Sequence, residues 1–286
     1  MAVARCLDDI HLVSADSMQV YRHMDIGTAK PTPTERAEVP HHCIDLVEPT
    51  TDFTVAAYKV AHADALAAID SAGGVALIVG GTGLYHRVVI DDFDLPGEWP
   101  AIREELAAVN DSRALHQRLE SLDPVGASKI EPSNHRRVVR ALEVTLGSGR
   151  PFSSFGPGVD SYPPTRVVQI GIRRPRPVLS ELIERRVHRM VDDGLVDEVR
   201  AIATDPGYSR TAAQALGYKE ILSHLAGAIS QDEAIELVIT RTRQFAVRQE
   251  RWFRRDPRVR WIDVEHDPVA DAVPAVIDAI TEQRSR

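Results

Sequence analysis

The sequence predicts an α/β fold: a parallel sheet flanked by helices, carrying a helical insertion. Three observations lead there. Residues 10–15 (IHLVSA) and 75–79 (VALIV) are short apolar runs that end in polar or glycine-rich turns, as buried parallel strands do. Between them, residues 51–74 carry helical spacing, which makes a strand–helix–strand unit. From about residue 96 to 163 the pattern turns helical and is broken by Pro96, Pro124, Pro132 and Gly149, so it reads as an insertion between sheet strands.

Each element follows from local signals. Thr51 or Asp52 can cap the first long helix, and Gly73-Gly74 stops it. The insertion reads as helices over 100–109, 112–121, 124–130 and 133–147, followed by a loop rich in Gly, Pro and Ser at 149–165. A third strand is expected at 166–172 and a last one at 259–264. Residues 176–205 form an amphipathic helical region interrupted near Gly194. Residues 230–255 form another long helix, opened by the capping box of Ser230 and Glu233. The expected domains are a core of 1–95 with 164–286, and an insertion of 96–163. Ligands of such sheets bind beyond the carboxyl ends of the strands. Asp16 follows one strand and the turn GGTGLY (80–85) follows another, so the two are expected to face each other across a crevice.

Composition narrows the class. With 286 residues, 43% apolar and 27% charged, the chain is an ordinary globular one. No apolar run approaches the roughly 20 residues that span a bilayer, and the start, MAVARCLDDI, lacks the pattern of a secretion signal. Two cysteines, Cys6 and Cys43, make no disulfide framework, so the expected location is cytoplasmic, with no membrane partner. The net charge of −8 argues against nucleic acid, but its distribution matters more. The only lysines are Lys30, Lys59, Lys129 and Lys219, whereas arginines cluster at 135–140, 173–176 and 241–260. Such clusters are either solvated helix faces or phosphate partners, for which the guanidinium fork is well suited.

Few motifs carry chemistry by themselves. GGTGLY has neither the dinucleotide-binding glycine spacing nor the Gly-Lys-Ser/Thr ending of a phosphate loop. It is either a tight turn or a turn that lets backbone approach a ligand, with Thr82 offering a hydroxyl. PHHCID (40–45) has no second ligand pair at zinc-like spacing. A Ser-His-Asp triad stays open on composition, without a nucleophile-elbow sequence to support it.

Longer stretches are more specific. VSADSMQVYRHMDIGTAKPT (13–32), PHHCIDLVEPTTDFTVAAY (40–58), LIVGGTGLY (77–85), LDPVGASKIEPSNHRRVVRALEV (122–144), ALGYKEI (215–221) and TRTRQFAVRQERWF (240–253) together resemble the tRNA dimethylallyltransferases, in that family's order, over nearly all of the chain to about residue 264. The resemblance implies transfer of a dimethylallyl group from its diphosphate to N6 of the adenosine just 3′ of the anticodon. It implies a P-loop-NTPase-like parallel core with an inserted helical tRNA-binding domain, Mg2+ to assist diphosphate departure, and tRNA and dimethylallyl diphosphate as partners of a monomer. An adenine amine is a weak nucleophile because its lone pair is delocalised, so a carboxylate that accepts its proton raises its reactivity. By resemblance Asp16 is that carboxylate, Thr82 lines the reaction channel, and Arg186 meets the diphosphate. Asp16, Ser17, Met18 and Gln19 contact the flipped base. Arg103, then Arg136, Arg137, Val138, Val139 and Arg140, then Gln214, Gly217, Tyr218 and Lys219, contact the tRNA. Of these, Arg136, Arg137 and Arg140 are the expected phosphate partners.

One departure stands out. The family's phosphate-cradling loop, G-P-T-x-x-G-K-[ST], which also holds the magnesium, is expected ahead of the first strand and is not among these residues. The expectation is that the gene's product starts further upstream and is a complete transferase. The alternative is a catalytically silent, tRNA-binding remnant. A weaker alternative is an adenylate isopentenyltransferase, disfavoured by the extended insertion and C-terminal half.

Overall fold

Strand β1 (Ile10–Ser14) organises the first half of the computed structural model, which describes residues 1–156 and 158–284. The chain divides into two units, Met1–Ile90 with Pro164–Arg286, and Asp91–Pro163. In the larger unit β1 is followed by α1 (Pro33–Glu38), β2 (His41–His42), α2 (Val55–Ser71), β3 (Val75–Val79) and α3 (Gly83–Ile90). β1 lies between β2 and β3 and is parallel to both, in register from Ile10↔Val75 to Ser14↔Val79. Helix α2 buries Tyr58, His62, Ala65 and Ile69, a stripe at helical spacing, and packs it on Val13 and Ala15. Its cap is Thr54, whose hydroxyl accepts from Ala57 N, rather than Thr51 or Asp52. Asp52 is otherwise engaged: its carboxylate accepts from the N–H and hydroxyl of Thr211.

The smaller unit contains α4 (Pro100–Ala107), α5 (Ser112–Leu122), α6 (Pro124–Ala127) and α7 (His135–Ser148) around Leu106, Leu119, Val138 and Leu142. The helix expected over 124–130 is shorter, because Lys129 N and Ile130 N bond three residues back, to Gly126 O and Ala127 O, and the chain leaves the α-helical ladder.

The larger unit resumes with β4 (Gln169–Arg173), α8 (Arg176–Asp192), α9 (Leu195–Thr204), α10 (Tyr218–Leu225), α11 (Gln231–Arg254), β5 (Val259–Asp263) and α12 (Pro268–Arg284). Gly194, at φ 102°, separates α8 from α9 where the sequence places the break. The capping box of Ser230 and Glu233 opens α11 as expected. β4 begins later than the sequence pattern places it, since its parallel ladder with β5 starts at Gln169↔Val259. The strands do not form one continuous sheet among the described residues. β2-β1-β3 and β4-β5 are separate parallel sheets, each with an apolar residue exposed on an outer strand, Val79 and Ile172. Among the described residues no helix is long and apolar enough to cross a membrane.

Candidate functional site

Because β1 and β3 are paired in register to their last residues, the chain leaves both at one level. Ala15 N donates to Val79 O at 2.8 Å, and Thr82 N returns a bond to Ala15 O at 3.2 Å. A side chain on Gly80 would stand 2.4 Å from the carbonyl of Ala15, so only glycine permits this approach. The glycine turn therefore closes directly over the segment that begins at Asp16, as the sequence pattern implies.

Asp16 Oδ1 accepts from Met18 N at 2.8 Å and from Gln19 N at 3.4 Å, an Asx turn that bends the chain out of β1. Ser17 N donates to Thr82 Oγ1 at 3.0 Å, and the Thr82 hydroxyl lies 3.3 Å from Ser17 Oγ. The structure thus brings Asp16, Ser17 and Thr82 together. Gln19 turns back into the loop: its Oε1 accepts from Ser14 Oγ at 2.8 Å and its Nε2 donates to Thr28 O at 3.2 Å. Met18 packs on the core around Val20, Tyr21 and Met24. Below the turn, Tyr85 stacks on Tyr58 with ring centroids 3.8 Å apart, and Tyr58 Oη donates to Ser14 O. Burial, then the nearby Tyr21 and Asp16, push the Tyr85 phenol upward, so it stays neutral.

The loop after Gln19 is fastened from two sides. Lys30 Nζ, with its side chain only 1% exposed, donates at 2.7 Å to Tyr21 O, Asp25 Oδ1 and Asp45 Oδ1. From α9, the Glu198 carboxylate accepts from the backbone N–H groups of Asp25, Ile26 and Gly27 and from Tyr218 Oη. Tyr218 is therefore a core residue, fully buried with its ring against Gly27. Gly217 is buried at φ 91° and starts α10, while Gln214 and Lys219 are exposed and bonded to each other at 3.0 Å. Arg186 is exposed on α8 and does not join Asp16 and Thr82. With Arg189, Arg22, Arg36 and Lys30 it lines a cavity of ≈ 640 Å3 on another side of the loop.

In the smaller unit Glu143, with no exposure, accepts from Trp99 N and from Arg103 Nε, both at 2.8 Å, and pairs with Arg140. Burial alone would push its carboxyl up. Arg103, the Trp99 N–H and Arg140 outweigh that and hold it below its ordinary value. Val138 and Val139 lie in the core, so these two do not face solvent. Arg136 and Arg137 are exposed on the first turn of α7, whose N-terminal N–H groups add positive potential beside them. Three residues at the glycine turn are not among the sequence candidates. Gln249 and Trp252 of α11 cover Gly81 and Gly83, and His86 bonds Gly80 O. Their signal was the 3–4 spacing of Gln249, Trp252 and Phe253 inside a run that reads chiefly as arginine-rich.

Comparison with known proteins converges. A family model described as IPP transferase matches residues 19–256. A tRNA dimethylallyltransferase of Thermobifida fusca is 46% identical over 273 residues, covering 93% of this chain and 84% of that protein. One from Streptomyces coelicolor is 49% identical over 255 residues, covering 88% and 81%. Among solved structures, the full-length tRNA isopentenylpyrophosphate transferase of Bacillus halodurans superposes with a TM-score of 0.70 at 35% identity, covering 99% of this chain and 92% of that one. A eukaryotic dimethylallyltransferase crystallised acting on tRNA gives 0.80 at 22% identity, covering 98% and 75%, a likeness of fold.

Proposed function

The chain belongs to the IPP transferase family, and on that premise we propose that it transfers a dimethylallyl group from dimethylallyl diphosphate to N6 of the adenosine 3′ to a tRNA anticodon, releasing diphosphate. The observation that carries this reading is the cluster at the ends of β1 and β3. There a carboxylate with one oxygen committed to backbone stands beside a hydroxyl and a glycine turn. Among the described residues only Oδ1 of Asp16 takes hydrogen bonds, which leaves Oδ2 for a ligand.

In this reading the adenine is extruded from its loop at a cost of a few kcal/mol, small because the loop is single-stranded. Its N6–H donates to Asp16 Oδ2. As N6 forms a bond to C1 of the allyl group, the C1–oxygen bond breaks, diphosphate leaves with the electron pair, and Asp16 takes the proton. Thr82 lines the channel beside Ser17. Arg186 lines a cavity apart from Asp16 and Thr82, so it meets the departing diphosphate only if α8 or the loop moves when the substrates bind. Arg136, Arg137 and the exposed Gln214 and Lys219 contact the RNA, and Asp91–Pro163 is the RNA-gripping unit. Val138, Val139, Gly217 and Tyr218 serve by fixing the backbone on which those contacts stand. Arg103 and Arg140 remain tied to Glu143. Mg2+, if it arrives with the diphosphate, would offset the charge of that leaving group. Among the described residues no group of three or more His, Cys, Asp or Glu side chains is placed to hold that ion. The chain acts as a monomer in the cytoplasm, where its RNA is.

Asp16→Asn tests the reading. The amide keeps an oxygen for Met18 N–H but cannot take a proton, so transfer of labelled dimethylallyl to an anticodon stem-loop drops about 10²–10⁴-fold with RNA affinity retained. Undiminished transfer would remove Asp16 from the chemistry. Wild-type protein that binds the stem-loop but transfers nothing would mark an RNA-binding protein instead.

A further inference from the structure

The Gly81–Thr82 peptide is pinned at both of its polar groups. Its carbonyl, Gly81 O, accepts from Gln249 Nε2 at 3.0 Å, and its N–H, on Thr82, donates to Ala15 O at 3.2 Å. The peptide before it is held as well, with Gly80 O at 3.0 Å from His86 Nε2. The His86 ring is braced edge-on by Phe253, with centroids 5.3 Å apart at 81°. Trp252 occupies the space beside Gly83, where a Cβ would stand 2.1 Å from its indole nitrogen. Gln249, Trp252 and Phe253 are spaced i, i+3 and i+4 on α11, so one face of that helix covers the outside of the turn.

We propose that Gln249 is a positioning residue. From α11 it sets the plane of the Gly81–Thr82 peptide and so places the Thr82 hydroxyl against the Asp16–Ser17 turn. The choice between a positioning and a merely structural role follows from magnitudes. One neutral, partly exposed hydrogen bond contributes little to the stability of a unit this large. Misplacing a group in a reaction channel by about 1 Å costs on the order of 10²-fold in rate. Without Gln249 the Gly81 carbonyl has no donor on that side. The glycines at 80, 81 and 83 then let the peptide rotate and draw Thr82 N away from Ala15 O.

The proposal rests on the transferase reading, and two variants separate it from that reading's fate. Gln249→Met keeps the shape without the donor, and Gln249→Glu sets a carboxylate against the carbonyl. Both are expected to lower kcat tenfold or more, Glu the further. KM and Kd for the stem-loop should change less than about threefold and the melting temperature by little. Amide hydrogen exchange at Thr82 should accelerate in both. Unchanged kcat and unchanged Thr82 exchange overturn the proposal. So does a loss that tracks stem-loop Kd, which would make Gln249 an RNA contact, or one that tracks melting. If wild type transfers no dimethylallyl, the transferase reading fails, while Thr82 exchange still decides whether Gln249 holds the peptide.

Discussion

Replacing Lys30 by methionine should destabilise the larger unit by about 2–5 kcal/mol, although it removes a buried charge. The ammonium has three acceptors at 2.7 Å, which differ in what they lose. Tyr21, 1% exposed, is left with a buried carbonyl lacking its donor, which costs about 1–3 kcal/mol. Asp45, whose side chain is 24% exposed, keeps Arg36, so its loss is partial and on the order of 1 kcal/mol. Asp25, 61% exposed, returns to water at a cost of about 0–1 kcal/mol. Methionine matches the lysine stem, so little cavity penalty is added. Urea denaturation followed by circular dichroism measures the difference. At roughly 2–4 °C per kcal/mol for a unit of this size, the melting point falls by about 4–20 °C. A destabilisation under about 1 kcal/mol would show that the loop does not depend on Lys30.

Two further outcomes concern the smaller unit. Glu143 has a folded pKa below its ordinary 4.5, so the stabilisation it provides is complete above about pH 4.5 and is lost as pH falls through the folded value. Glu143→Gln should flatten the acid side of the stability curve, and an equally steep decline in the variant between about pH 5 and 3 would assign it to other carboxylates. Arg137→Ala should leave melting unchanged and weaken stem-loop binding without regard to sequence. The slope of log affinity against log salt should fall by about 0.7–0.9 for one lost phosphate contact, and an unchanged slope removes Arg137 from the interface.

The sequence was legible where local chemistry and tertiary need coincide. β1, β3, α2, the Gly194 break and the α11 capping box all carry their own signals, and the meeting of Asp16 with the glycine turn follows from strand ends alone. Thr32 and Glu35 form a capping box at α1, and its T-x-x-E signature with Pro33 at the first helical position is equally local. Helix α12 was less readable, because Pro274 lies inside it. The second-rank contacts were not readable at all. Nothing local in sequence joins Glu198 to residues 25–27 or Gln249 to Gly81, since each bond spans well over a hundred residues.

Those long-range bonds are what fasten a site that is built on loops. A loop carries reacting groups well only if its backbone polar groups are satisfied by something stiffer than itself. Here the Asp16 loop has Lys30 inside it and Glu198 of α9 outside it, and the glycine turn has Gln249 of α11. Tyr218, an expected RNA contact, instead completes the Glu198 clamp, and its exposed neighbours are Lys219 on the same first turn of α10 and Gln214 in the 3-10 turn before it. A ligand seated on those two residues would press on the hydrogen-bonded chain that ends at Gly27. The Tyr218→Phe substitution removes only the bond to Glu198 and keeps the ring against Gly27. It should therefore leave stem-loop affinity nearly unchanged while raising amide exchange at residues 25–27, and unchanged exchange there would break the link between the two regions.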